Sequence, residues 1–179
     1  SANHRAPYVA PVSVLEKQIA QIWEDLFHLS PIGLEDDFFA LSGDSFLAVR
    51  LFSQIEAETG IAVPLTALFE AATVQKLAAL LNGDKPTIWP SLVPIQPNGN
   101  RPPLYLIHAA GGNVLFYRDL IAYLPSDQPL YGLQAQGLGG KGERHRRVED
   151  MAAYYIREIR HFQPTGEYYL GGSSFGGLV

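Results

Sequence analysis

Cysteine is absent from all 179 residues, which removes disulfides, thiolate metal sites and a cysteine nucleophile from consideration. Long apolar runs are absent too. None approaches the roughly 20 residues a bilayer-spanning helix needs, and no basic-then-apolar leader opens the chain. Basic residues are scarce in the first half: residues 1–83 hold 4 Lys/Arg against 10 Asp/Glu, a balance of −6, whereas residues 84–179 hold 9 against 8, a balance of +1. An acidic small domain repels nucleic acid and suits basic protein partners. There is no Walker-type loop or dinucleotide fingerprint, and His4, His28, His145 and His161 have no metal-ligand spacing. What remains is globular composition, 47% hydrophobic, in a length that suits one ordinary domain or two small ones. No membrane partner is expected, and a cytoplasmic setting is the default. Ser1-Ala2 has the look of a cloning remnant and is set aside.

The first half reads as helices. Leu15, Ile19, Ile22, Trp23 and Leu26 share one helical face, and Ser13 three residues before Glu16 fits a capping box. Pro31 and Gly33 open a loop that runs to about Gly43. A second helix is predicted over 45–59, with Leu47, Leu51 and Ile55 spaced by four and Gly60 as its C-terminal glycine. A helical turn over 65–69 and a helix capped by Thr73 and ending near Asn82-Gly83 complete a small bundle. Residues 84–103 carry six prolines and read as a linker, with 91–95 a candidate for pairing at a sheet edge. Beyond it strands alternate with helices: a strand at 104–107, a helix over 114–124, a strand at 129–133, a Gly-rich basic loop over 137–147, a helix over 148–162 and a strand at 168–170. Met151, Tyr155, Ile159 and Phe162 line one side of the last helix. This alternation predicts a parallel sheet with crossover helices.

Two serines stand where chemistry is done. In Asp36-Asp37-Phe38-Phe39-Ala40-Leu41-Ser42-Gly43-Asp44-Ser45 a paired-acid, paired-aromatic loop delivers Ser45, expected exposed, to a helix start. A serine there serves either as a helix cap or as a hydroxyl presented for modification. In Gly172-Ser173-Ser174-Phe175-Gly176 the pattern Gly-x-Ser-x-Gly follows a strand, the context of a nucleophile elbow. Upstream, His108-Ala109-Ala110-Gly111-Gly112-Asn113 follows the first strand, where a hydrolase keeps a second oxyanion donor. Four basic residues over 141–147 read as a solvated loop.

Residues 12–83 resemble a peptidyl carrier protein of nonribosomal peptide synthetases, through Leu15-Glu16, Ile22-Trp23, Ile32-Gly33, Asp37-Phe38-Phe39, Gly43-Asp44-Ser45 and Leu65-Leu68-Phe69. The resemblance implies that a phosphopantetheinyl transferase attaches 4'-phosphopantetheine from coenzyme A to Ser45. Asp44 is then either a positioning group for the transferase or a plain loop acid. Ser42 departs from the family, which has the first of two glycines there, and Phe46 stands where leucine is commoner. Ser42 would stiffen the loop if that position needs positive φ.

Residues 104–179 resemble the thioesterase domain that terminates such assembly lines, through 104–113, Tyr117-Arg118-Asp119-Leu120, 129–134 and 172–176. The resemblance implies Ser174 as the nucleophile and the backbone N–H groups of Ala110 and Phe175 as the oxyanion hole. His108 precedes Ser174 and so is out of order for the catalytic base of this fold; a hydrogen bond that shapes its loop is the expected job. The triad acid and histidine are expected beyond Val179, so the 179 residues alone are expected to be inactive, with apolar sheet edges uncovered.

The expected architecture is multidomain: an all-α four-helix carrier bundle at 8–83, a Pro-rich linker at 84–103 and the front part of an α/β-hydrolase at 104–179. The implied function is a carrier–thioesterase segment that holds an acyl or peptidyl chain as a thioester and releases it through an acyl-serine. Upstream condensation and adenylation domains and docking between carrier and thioesterase are the implied partners. The rival reading is a non-catalytic carrier or interaction module whose hydrolase-like half is scaffold.

Overall fold

The computed structural model describes residues 5–83, 90–138 and 144–179. Ser1-Ala2, His4, the first six residues of the expected linker and Lys141 lie outside the described residues. The chain divides into two compact units, 1–86 and 87–179.

The first unit holds α1 (Val14–Phe27), α2 (Ser45–Thr59), a 3₁₀ segment (Leu65–Phe69) and α3 (Val74–Asn82). The expected fourth helix is thus a short 3₁₀ turn between three α-helices. The capping box forms as the spacing predicts, with Ser13 Oγ accepting the Glu16 N–H at 3.2 Å and Glu16 accepting the Ser13 N–H at 2.8 Å. Helix α1 stops at His28, which takes the left-handed conformation at φ 53°. Helix α2 ends at Gly60 with φ 71°. The α2 core face is Ala48, Leu51, Phe52 and Ile55; Leu47 is only half-buried, so the stripe lies one residue round from the expected one. The loop between α1 and α2 is no surface excursion. Ile32, Leu34, Phe38 and Leu41 are buried, and Phe38 packs edge-on to Trp23 and Phe27.

The second unit is a four-stranded sheet of β1 (Leu92–Gln96), β2 (Leu104–Ile107), β3 (Leu130–Leu133) and β4 (Tyr169–Gly172), in the order β1-β3-β2-β4. Strand β2 pairs in parallel with β3 and with β4, while β1 is antiparallel to β3. The sheet is therefore mixed, where a parallel one was expected. Strand β1 is the edge pairing anticipated inside the proline-rich stretch; an edge is where Pro94, lacking an N–H, is tolerated.

Alternation along the strands separates the two faces. Tyr105, Ile107, Tyr131 and Leu133 pack with Tyr155 and Ile159 of α4 (Val148–Phe162); Phe162 closes against Tyr131 while staying half exposed. The helix expected over 114–124 forms as a 3₁₀ segment at Leu115–Tyr123, with Tyr117 N–H bonded to Val114 O at 3.1 Å. Val114 sits where a Cβ at Gly132 would be, 2.6 Å from its Cγ2, so this segment lies against the face opposite α4. The connection leaving β2 and the one reaching β4 thus run on opposite faces. The carboxyl ends of β2 and β4 lie side by side, the end of the sheet where open α/β folds place their sites. At the sheet margin Tyr169 and Leu170 of β4 are exposed, as is Ile156 of α4. Among the described residues no helix is long and apolar enough to cross a membrane.

Candidate functional sites

The loop that presents Ser45 is held by its own acids. The buried Asp36 carboxylate receives Arg5 Nε at 3.0 Å and the Gly33 N–H at 2.8 Å, and Arg5 Nη2 also reaches it. Burial alone would push the Asp36 carboxyl up, but the Arg5 guanidinium and the Gly33 N–H together hold it below the usual range. The Asp37 carboxylate accepts the N–H groups of Phe39 and Ala40 at 2.9 and 3.0 Å, an Asx turn. The chain then presses back on Phe38: the Gly43 N–H donates to Phe38 O at 2.8 Å, and a Cβ at Gly43 would lie 2.5 Å from the Phe38 ring and carbonyl. Only glycine fits there. Ser42 sits at φ 69°, so the position where the family usually has glycine does demand the left-handed region, at a cost of about 1–2 kcal/mol for a side-chain-bearing residue.

Asp44, in extended conformation, is the N-cap of α2 and accepts the Leu47 N–H at 2.8 Å. Of the two alternatives for Ser45, the helix cap is thus taken by its neighbour. Ser45 is the first helical residue, its hydroxyl released from capping duty, and Asp44 has a structural job. Ser45 is half-buried rather than exposed, beside Phe46, which is 69% exposed, and Val49, 48% exposed.

Asp36 gives the first prediction. Its folded pKa lies below its unfolded one, so its contribution to stability is fully present above the unfolded aspartate pKa. It is lost as pH falls through the folded value. Arg5→Ala is expected to move the Asp36 carboxyl titration, followed by NMR, upward and to lower stability near neutral pH by about 1–3 kcal/mol. Asp36→Asn should flatten the acid limb of the stability profile.

In the second unit β2 and β4 run side by side with Ile107 opposite Gly172, so the His108–Asn113 loop and the Gly-x-Ser-x-Gly turn emerge at the same end. Ser174 is exposed, with φ 55°, and opens a 3₁₀ segment (Ser174–Gly177). A left-handed serine between a strand and a helical turn is the strained geometry of a nucleophile elbow. Both glycines of the motif are forced: a Cβ at Gly172 would strike the Gly176 carbonyl, and one at Gly176 would lie 2.5 Å from Ile107 O and 2.7 Å from His108 O. Neither the Ala110 nor the Phe175 N–H donates a hydrogen bond among the described residues.

His108 is buried and bonded at both nitrogens, Nδ1 2.6 Å from Ala109 O and Nε2 2.9 Å from Tyr155 Oη. Burial disfavours the charged imidazolium and pushes its pKa below the ordinary histidine value. This is a loop-shaping histidine, as its place ahead of Ser174 implied. No His, Asp or Glu cluster suited to a metal occurs among the described residues.

Known proteins place both halves. Residues 17–81 match the phosphopantetheine attachment site family and residues 102–179 the thioesterase domain family. The chain is 43% identical over 175 residues to malpinin synthetase of Mortierella alpina and 40% identical over 170 residues to a dimodular nonribosomal peptide synthase of Bacillus subtilis (strain 168). A phosphopantetheine attachment domain is followed by a thioesterase domain. The matches to the two synthetases cover 96% and 94% of the chain, but only 2% and 7% of the two relatives' lengths. A solved four-domain nonribosomal peptide synthetase, bound to AMP and glycine, matches 97% of the chain and 13% of its own length, with a TM-score of 0.55 and 31% identity.

Within the thioesterase unit the structure adds a residue that sequence reasoning quoted but gave no role. The Tyr117 hydroxyl donates to Ile107 O at 2.7 Å and accepts the Ser173 N–H at 2.9 Å. It ties the end of β2 to the peptide just before Ser174. Its motif signalled membership; nothing in its spacing signalled that its hydroxyl reaches the elbow. Tyr117→Phe leaves a buried carbonyl without this donor and the Ser173 N–H without this acceptor. It is expected to destabilise the unit by about 1–3 kcal/mol, read as a lowered urea midpoint, and to slow any reaction at Ser174.

Proposed function

We propose that the chain is the carrier–thioesterase segment of a nonribosomal peptide, or hybrid polyketide, assembly line. In this reading residues 8–83 form the carrier, with the 3₁₀ turn counted as one of its four helical elements. Residues 84–103 link it to the front part of the thioesterase, with β1 lending that domain an edge strand. The observation that carries the reading is the presence in one chain of an uncommitted serine hydroxyl at a helix start and a left-handed serine in a glycine-locked elbow.

The residues around Ser45 fit 4'-phosphopantetheine. The hydroxyl is not engaged as a cap, the amino end of α2 favours a phosphodiester, and Phe46 and Val49 offer apolar surface beside the attachment point. When bound, that group supplies a thiol on which acyl chains are activated. Ser45 holds it and Asp44 keeps the helix start open for it. Ser174 Oγ attacks the acyl carbon of a delivered thioester, its proton passing to a base we place beyond Val179. The Ala110 and Phe175 N–H groups receive the charge that develops on the carbonyl oxygen. The thiol then leaves, and water or a nucleophile of the product releases the acyl group from Ser174. A phosphopantetheinyl transferase, condensation and adenylation domains, and docking of carrier on thioesterase are the proposed partners, in the cytoplasm. The 179 residues alone are proposed to be inactive in release, because Ser174 lacks its base within them.

The test is direct. Incubation with coenzyme A and a phosphopantetheinyl transferase should add one arm to the chain, and a serine-directed phosphonate should label Ser174 in the full-length parent. A carrier that stays unmodified removes the first half of the reading, and an unlabelled Ser174 removes the second.

A further inference from the structure

Ala109 and Ala110 share one peptide, and two donors hold its carbonyl. Ala109 O lies 2.6 Å from His108 Nδ1 and 2.9 Å from the Gly112 N that donates to it. A trans peptide points its C=O and N–H in opposite directions, so fixing the Ala109 carbonyl also fixes the direction of the Ala110 N–H. A carbonyl can only accept. The His108 proton is therefore on Nδ1, and Nε2 must itself receive a hydrogen bond. The donor is the Tyr155 hydroxyl, 2.9 Å away, on a ring that is 2% exposed in the middle of α4.

The surroundings hold this arrangement in place. Tyr155 Oη also lies 3.2 Å from Gln134 O, a carbonyl to which it could donate its one proton; the 2.9 Å contact to Nε2 is the shorter and takes that proton, because the imidazole's own proton is held on Nδ1 against Ala109 O at 2.6 Å. Gln134, itself buried, donates its N–H to Ser91 O and its side-chain amide to Pro90 O, both at 2.8 Å. The next residue, Ala135, donates to Gly112 O at 2.7 Å. The imidazole face rests on the Phe175 ring, with centroids 5.9 Å apart. Burial raises the Tyr155 phenol pKa, so the hydroxyl keeps the proton it donates.

We propose that Tyr155 is a positioning residue for the release reaction: through His108 it selects the Nδ1–H tautomer and so locks the Ala109–Ala110 peptide with its N–H available to the oxyanion. This rests on the reading of Ser174 as nucleophile and of Ala110 as an oxyanion donor. Without the Tyr155 hydroxyl the proton can move to Nε2. The bare Nδ1 then faces Ala109 O, lone pair against lone pair, and the peptide loses one of its two restraints. Sequence periodicity reads Tyr155 only as a core residue on the inner face of α4.

Side-chain isosterism supplies the test. The amide nitrogen of asparagine falls near His Nδ1, and that of glutamine near His Nε2. In the full-length parent acting on an acyl N-acetylcysteamine thioester, His108→Gln is expected to lower kcat about 100-fold at unchanged KM, the loss typical of one oxyanion donor. His108→Asn should stay within about tenfold of wild type. Tyr155→Phe should lower kcat with KM unchanged, and ¹⁵N spectra of the 179-residue chain should show His108 leaving the pure Nδ1–H form. Equal losses in the Asn and Gln variants, or an unchanged tautomer in Tyr155→Phe, overturn the proposal while leaving the nucleophile assignment standing. The tautomer measurement decides the matter should His108→Gln not fold. Full release activity in Ser174→Ala overturns the underlying reading, and the proposal with it.

Discussion

Ser45→Ala abolishes loading by a phosphopantetheinyl transferase and leaves the stability of the carrier within about 0.5 kcal/mol of wild type; this is the expected result with the largest effect. The two halves of the statement together separate modification from capping. A serine that capped α2 would cost about 1 kcal/mol when truncated. Here the cap is Asp44, whose carboxylate takes the Leu47 N–H, so that cost moves to Asp44→Ala. Attachment adds negative charge next to Asp44, an unfavourable contact. The positive end of α2 opposes it: an anion in the first helical turn is stabilised by about 0.3–1 kcal/mol, while repulsion from an exposed neighbouring carboxylate is of similar size and screened by salt. The site therefore tolerates the group. Intact mass before and after incubation with coenzyme A, beside thermal melts of both variants, checks the prediction. Loading of Ser45→Ala, or a loss near 1 kcal/mol on melting it, sinks it.

Ser174→Ala in the full-length parent is expected to lower kcat for thioester release by up to about 10⁶-fold, the scale seen when a hydrolase nucleophile is removed. The elbow itself should survive. Alanine at φ 55° is no more strained than the serine it replaces, and the collisions that demand glycine lie at Gly172 and Gly176. Loading of Ser45 should be untouched, since it needs only the first unit and an external enzyme. The measurement is single-turnover release from the loaded protein, with the melting temperature as control. Release at the wild-type rate would show that the acyl group never visits Ser174 and would favour a hydrolase-like half that serves only as scaffold.

Local features of this chain were legible without a structure. The Ser13–Glu16 capping box, Gly60 as the end of α2, Thr73 as the cap of α3 and the strand before Gly172 depend on residues within a few positions of one another, so spacing alone expresses them. The departure at Ser42 was legible too, and the structure places it at the positive φ that was suspected. The helix read over 114–124 forms as a 3₁₀ segment at 115–123, because helix type is set by which backbone hydrogen bonds the packed chain makes, and apolar spacing over so short a stretch does not express it. The antiparallel β1 was visible only as an edge candidate, because strand direction is a property of the partner as well.

By itself, the sequence singled out two serines and the kinds of local turn in which they sit: a serine after Gly-Asp at a helix start, and a serine between glycines at a strand end. Tertiary structure alone decided what surrounds them. The Asp44 cap, by contrast, is a local bond to Leu47 three residues on, and it leaves the Ser45 hydroxyl uncommitted. Tertiary structure set Tyr117 between residues 107 and 173, 10 and 56 positions away, and joined His108 to Tyr155 across 47. It also clamped Arg5 onto Asp36 across 31. Such hydrogen bonds leave no periodic trace, because a buried donor answers to whichever acceptor the packed chain brings within about 3 Å, and only folding chooses that neighbour.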